Sequence, residues 1–295
     1  MNRSIKTLLT SLLFATATFS ADSTQSEEVE YIITSRPHNL PRLITLQTAE
    51  VLESYGIAFA GGGNIHSALK GEEDFLRGSL YIGLGNVAEL GYEQESIALA
   101  GEDELKRMRG HIKLQPIQEG RYTPAIAVTY GASLSPEVGW REEIELDRSH
   151  WALGLSKSFV WGSTSITIHP GATIQQDKLT ITPHSDSAKP IQKRRLDGQL
   201  GLTWQTNSET MFIVEARSTN VMDRNEVQNG KINYQNAVQG NLGVRFYLRN
   251  WVFMDAGLLN MYNIDLDEWN NGIHANITGV IPVRTVASRI SSWFN

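Results

Sequence analysis

Apolar and polar residues alternate one for one along most of this 295-residue chain. In 198–217, Leu200, Leu202, Trp204, Phe212 and Val214 share one side, while Gln199, Thr203, Gln205, Glu215 and Arg217 take the other. A period of two puts successive side chains on opposite faces of a β-strand. Twelve segments carry it: 50–60, 76–85, 87–98, 107–117, 122–133, 150–160, 164–175, 196–206, 209–218, 237–248, 251–260 and 272–283. Most are longer than the roughly 5 or 6 residues of an ordinary strand. They approach the roughly 9–11 residues that cross a hydrocarbon layer at a tilt. Helical periodicity is nearly absent.

The connections alternate in length. Tight ones fall near Gly85 and Asn86, over 118–121, at Gly162 and Ser163, at Asn207 and Ser208, and at Arg249 and Asn250. Between them lie longer polar stretches at 61–75, 99–106, 134–149, 176–195, 219–236 and 261–271. The glycine-rich "GGGNIH" at 61–66 lacks the Lys of a phosphate loop and reads as a loop tip. Phe159, Trp161, Trp204, Phe246 and Trp251 lie beside the short turns, and Tyr130 and Trp151 at the opposite strand ends. Two bands of aromatic rings are expected where a barrel meets lipid headgroups.

The N-terminus carries Arg3 and Lys6, an apolar stretch around 8–14, then small residues. This is the layout of a secretory signal peptide over 1–21, with cleavage after Ala17, Ser20 or Ala21 left open. No later run is long and apolar enough for a transmembrane helix. A mean hydropathy of −0.25 is no argument against a barrel, half of whose strand residues face away from lipid. The absence of Cys excludes disulfides and thiol chemistry, and a net charge of −6 gives no general attraction to nucleic acid.

From the signal peptide through about residue 283, the chain resembles the porin-like class of Gram-negative outer-membrane β-barrel proteins. The resemblance implies an all-β fold: a transmembrane antiparallel up-and-down barrel of about 12 strands over 49–284, with short periplasmic turns and long outer loops. It implies the bacterial outer membrane as location, outer-membrane lipid as partner, and the barrel-assembly machinery at insertion. Segment 22–48 is either a periplasmic lead-in or a plug. In the tail, 285–295, Val286, Ile290 and Trp293 would share one side of a short helix. Phe294 is penultimate, where such barrels usually finish on a strand with a terminal aromatic residue.

The inward face is charged. Glu89, Glu93 and Glu95 stand opposite Arg107, Arg109, His111 and Lys113, and a hairpin centred near 102 puts Glu95 beside Arg109 and Glu93 beside His111. Asp197, Glu215, Arg217, Arg245 and Asp255 also point inward. These charges either line a constriction or fill and rigidify the interior with ion pairs. Lys157 falls on the apolar face, and Pro170 suggests a bulge.

Enzyme motifs are missing: no GxSxG, HExxH or Walker loop occurs. An outer-membrane phospholipase would need Ser and His together on the lipid side, yet His111, His169 and His274 point inward. Ser149 and His150 are adjacent on a strand and so face opposite ways. The expectation is therefore a passive channel for small hydrophilic solutes, with no catalytic residues, cofactor, metal or nucleic-acid partner. The alternative is a plugged barrel with a structural or surface-binding role through its outer loops, and a lipid-modifying enzyme ranks third. The solute and the oligomeric state are left open.

Overall fold

The computed structural model describes residues 42–52, 55–66, 74–98, 105–136, 144–162, 164–181, 190–222, 231–249 and 251–282. The signal peptide, residues 22–41 and the expected helical tail lie outside these. Among the described residues, twelve strands run in chain order. They are β1 (Gly56–His66), β2 (Asp74–Leu84), β3 (Ala88–Ala98), β4 (Leu105–Ile117), β5 (Ala125–Ser133) and β6 (Ile144–Trp161). There follow β7 (Thr164–Ile181), β8 (Ile191–Gln205), β9 (Thr210–Met222), β10 (Tyr234–Arg249), β11 (Val252–Asn263) and β12 (Glu268–Pro282). Each pairs antiparallel with its sequence neighbours, and β1 pairs with β12 to close the ring. Closure removes the two unpaired edges an open sheet would leave.

The two faces are inverted relative to a soluble barrel. Outward-facing Leu200 is 50 % exposed, while inward-facing Glu215 is 2 % exposed. The same holds around the ring. Phe59, Ile112, Leu153, Ile168, Leu242, Met254 and Ile277 are exposed, whereas Lys113, Thr167, Asn241, Arg245 and Asp255 are buried. Both β6 and β7 have 18 residues and overhang the barrel at its long-loop end. There their outward positions turn polar, as at Asp147 and Lys178, which approach each other at 3.9 Å. Inside that overhang Ile144, Leu146, Leu179 and Ile232 form a small apolar cluster.

Several expectations are corrected. The first strand is not 50–60 but Gly56–His66, so "GGGNIH" lies within a strand and not at a loop tip. Glycine is needed there: a β-carbon on Gly62 would overlap the Ala275 carbonyl on β12. Residues 144–149, 176–181, 191–195 and 234–236, expected in loops, continue their strands. The connection expected over 261–271 shrinks to the turn 264–267, closed by Asp267 in a left-handed conformation (φ 55°). Strict alternation of loop lengths fails at that point.

Pro170 makes no bulge. Pairing of β6 with β7 is interrupted between Gly154↔Gly171 and Lys157↔Ile168 but resumes in the same register. Proline has no N–H to give the ladder, so the cost is a gap, not a shift. Lys157 remains on the outer face and reaches the rim. Its Nζ donates to the carbonyls of Gly120 at 2.7 Å and Arg121 at 3.0 Å and lies 3.3 Å from Glu119. This is how a long cationic side chain escapes an apolar surface.

Candidate functional site: the lumen and its inner segment

All ten charged residues expected in the lumen point inward. Their register differs by two residues from the expected one. β3 and β4 pair Glu89↔Lys113, Gly91↔His111, Glu93↔Arg109 and Glu95↔Arg107. Glu95 and Arg109 still meet, diagonally, at 3.8 Å. His111 bonds Glu89 at 3.3 Å rather than Glu93. One oxygen of Glu93 instead takes Arg42 at 2.6 Å, Arg77 at 2.8 Å and the Tyr81 hydroxyl at 2.9 Å. Arg245 is paired with Asp255 at 2.5 and 3.0 Å, and Arg217 donates to Gln239 at 2.7 Å. The seven aromatics singled out in sequence (Tyr130, Trp151, Phe159, Trp161, Trp204, Phe246 and Trp251) are all exposed on the outer face. Tyr130 and Trp151 pack at 4.8 Å, Trp204 and Phe212 at 5.6 Å.

Residues 42–52 do not precede the barrel; they are threaded into its short-turn half. Backbone donors of this segment are met by wall side chains. Glu215 accepts from the Thr45 N–H at 3.0 Å, the Thr45 hydroxyl at 2.7 Å and the Leu46 N–H at 3.2 Å. Ser156 Oγ accepts from the Ala49 N–H at 3.0 Å, and Glu89 from the Leu52 N–H at 2.8 Å. Carbonyls are met too: Lys113 donates to Glu50, Gln199 to Gln47 and Arg245 to Arg42. An irregular segment with no strand partner must satisfy its backbone in some such way.

The apolar side chains of the segment have sockets. Leu43, Ile44 and Leu52 pack with inward-facing Met211, Ile213, Tyr247 and Phe253, and Ala49 with Ala125 and Ala127. A β-carbon on Gly201 would come within 2.5 Å of Leu43 Cδ1, and one on Gly257 within 3.0 Å of Ile44 Cδ1. Glycine on the wall therefore shapes the seat. Gly201→Ala is expected to cost about 1–3 kcal/mol by overpacking. Adding Leu43→Ala should restore most of it, a coupling that a double-mutant cycle on the unfolding midpoint would measure. Sequence reading found the wall and left 22–48 open between a lead-in and a plug, without locating this seat. The available signal was apolar Met211 and Ile213 on a face otherwise polar, beside inward-facing glycines.

A polar, ion-paired interior inside a closed ring of strands with an apolar exterior fits only lipid outside. The chain forms a membrane-spanning β-barrel of twelve strands. Solved structures similar to it include the NanC porin (8 % identity, TM-score 0.49, covering 75 % of this chain and 98 % of that one). An outer-membrane channel from Pseudomonas putida F1 matches at 8 % identity and TM-score 0.49, covering 79 % and 98 %. The translocator domain of the autotransporter NalP from Neisseria meningitidis matches at 11 % and 0.46, covering 76 % and 87 %. No protein-family model matches the sequence, and no curated protein matches it. At such identities and scores the interior chemistry of this barrel is the guide to its function.

Beside and above the segment the barrel holds a cavity of about 490 Å³, bounded in part by Arg42, Leu43, Ile44, Thr45 and Leu52 of the segment itself. Its lining includes eight arginines (42, 77, 107, 109, 148, 195, 217 and 245) but only three acidic residues, Glu95, Asp197 and Asp255. The lumen is thus divided along its axis. Glu89 and Glu215 hold the segment in the short-turn half, with Arg42 and Arg245 beside it, and the other six arginines lie toward the long-loop ends of their strands. Ser156 and His169 are hydrogen bonded at 2.8 Å, but both are buried, and His169 Nε2 faces Thr203 at 3.4 Å. The Ser156 oxygen is already engaged by the Ala49 N–H. The pair is part of the seat, on the face away from lipid.

Proposed function

We propose that the protein is a porin-like channel for small hydrophilic solutes, exported through the signal peptide at 1–21, and that residues 42–52 act as a plug in its short-turn half. The observation that carries this reading is the arginine-lined cavity of about 490 Å³ bordering a segment lodged in the same lumen. A barrel whose interior was only structural filling would have no need of both. Glu89, Glu93, Glu95, Arg107, Arg109, His111, Lys113, Glu215, Arg217 and Arg245 then form the charged route and the seat of its closure. The surrounding lipid and the assembly machinery at insertion are the partners this reading carries.

Conductance in planar bilayers tests it, with the full-length protein compared to a Leu43→Asp/Ile44→Asp variant. Both leucine and isoleucine are buried against the wall, and burying an unpaired carboxylate costs several kcal/mol. The variant segment should leave its seat and stepwise conductance should rise sharply over the wild type. Silence in both, from barrels shown to be inserted, would replace the channel by a plugged structural barrel. Equal, large conductance in both would remove the closing role of 42–52.

A further inference from the structure

We propose that the arginine-walled chamber is a binding site for a small solute carrying two or more oxyanion groups, of the polycarboxylate or phosphate-ester class. The inference goes beyond conduction, since a barrel that never opened would still bind such a solute.

Charge is the first argument. A guanidinium stays protonated at any physiological pH, so crowding cannot be relieved by losing protons. Some of these arginines are matched by carboxylates. Arg245 has Asp255, Arg195 lies 3.5 Å from Asp197, Arg109 lies 3.8 Å from Glu95, Arg148 lies 3.8 Å from Asp177, and Arg42 and Arg77 share one oxygen of Glu93. Others are held by neutral acceptors that fix the guanidinium without cancelling its charge. Arg217 donates to the Gln239 amide, and Arg195 also donates to Gln175 at 2.7 Å and to the Asn220 carbonyl. A filler network would match cations with anions one for one. Here five carboxylates, Glu93, Glu95, Asp177, Asp197 and Asp255, serve eight guanidiniums, and the remaining positive charge stands around a hollow, where a lowered dielectric magnifies repulsion.

Position is the second. Arg77 on β2 and Arg107 and Arg109 on β4 stand on one side of the ring. Arg195 on β8 and Arg217 on β9 stand nearly half the circumference away. Two cationic walls facing each other across one cavity suit a ligand with anionic groups at both ends. Guanidinium forks recognise carboxylate and phosphate oxygens bidentately. A volume of about 490 Å³ falls in the usual range of small-molecule sites, roughly 300–1,000 Å³.

Calorimetric titration of the refolded full-length protein with citrate, at low ionic strength in a zwitterionic detergent, is the test. Citrate should bind, and affinity should fall steeply with added salt. Arg195→Gln/Arg217→Gln should weaken it at least tenfold, Arg217→Lys less, and exposed Arg249→Gln not at all. Folding of each variant is checked by its β-sheet circular dichroism. No heat with citrate, equal affinity in the Arg195/Arg217 variant, or equal displacement by chloride at the same concentration would each overturn the proposal. None of these outcomes depends on conductance, so failure of the site and failure of the channel are read separately.

Discussion

Replacing Glu215 with Ala is expected to free residues 42–52 from the lumen. The carboxylate is buried and serves four donors at once: the Thr45 and Leu46 N–H groups, the Thr45 hydroxyl, and Asn241 Nδ2 at 2.7 Å. Hydrogen bonds to a charged group contribute roughly 1.5–3 kcal/mol each, and a buried N–H left without an acceptor costs about 1–3 kcal/mol. Even a conservative sum, on the order of 3 kcal/mol, shifts the seated-to-released ratio about a hundredfold. The chain contains no Cys, so Thr48→Cys supplies a single thiol at a buried, nearly isosteric position. Its modification by a charged, membrane-impermeant thiosulfonate should be slow in the otherwise native protein and on the order of a hundredfold faster with Glu215→Ala. Glu215→Gln keeps one acceptor oxygen and should fall between. An unchanged rate in folded Glu215→Ala would show that the carboxylate does not hold the segment. Rapid modification of Thr48→Cys alone would show that the segment is not seated at all.

This prediction could not have come from periodicity. The strands were legible because each must alternate to separate two solvents, and β3, β5 and β9 begin and end within a few residues of where the pattern puts them. Residues 42–52 obey no period. Their conformation is set by the wall they touch, through bonds such as Thr45 to Glu215 across 170 positions of chain. The same contact explains the misplaced first strand. Val51 and Leu52 are apolar because they are buried in the lumen, not because they begin a strand. The register of β3 on β4 was missed for a different reason. A shift of two residues leaves every side chain on its own face, so the alternation is blind to it. Only the loop between the strands sets it. The inward direction of the site residues was therefore readable, and their partners were not. The arginine excess is a further case: its members come from β2, β4, β6, β8, β9 and β10 as well as the inner segment, and only closure of the ring brings them around one cavity.

Leu200→Arg is expected to destabilise the inserted barrel by about 2–4 kcal/mol, the cost of a cation on a lipid face near the bilayer midplane. The argument rests on where the outward apolar band begins and ends. On β8 the outward positions read Leu196, Gly198, Leu200, Leu202 and Trp204, and the next one toward the long loops is Arg194. Trp204 packs on Phe212 beside the short turn. Neighbouring strands end their bands at matching heights, at Ile174 on β7, before Gln176 and Lys178, and at Trp151 on β6, before Ser149 and Asp147. Leu200 therefore sits mid-band. Leu196, one outward position from Arg194, should tolerate Arg at about 0–1 kcal/mol, because the guanidinium can reach the headgroups. Reversible unfolding in urea from phospholipid vesicles would give both values. A large cost at 200 with a small one at 196 fixes the depth of the membrane on this strand. Equal small costs at both would mean that the outward face meets water, and with it the reading of the lumen as a route across a membrane would fall.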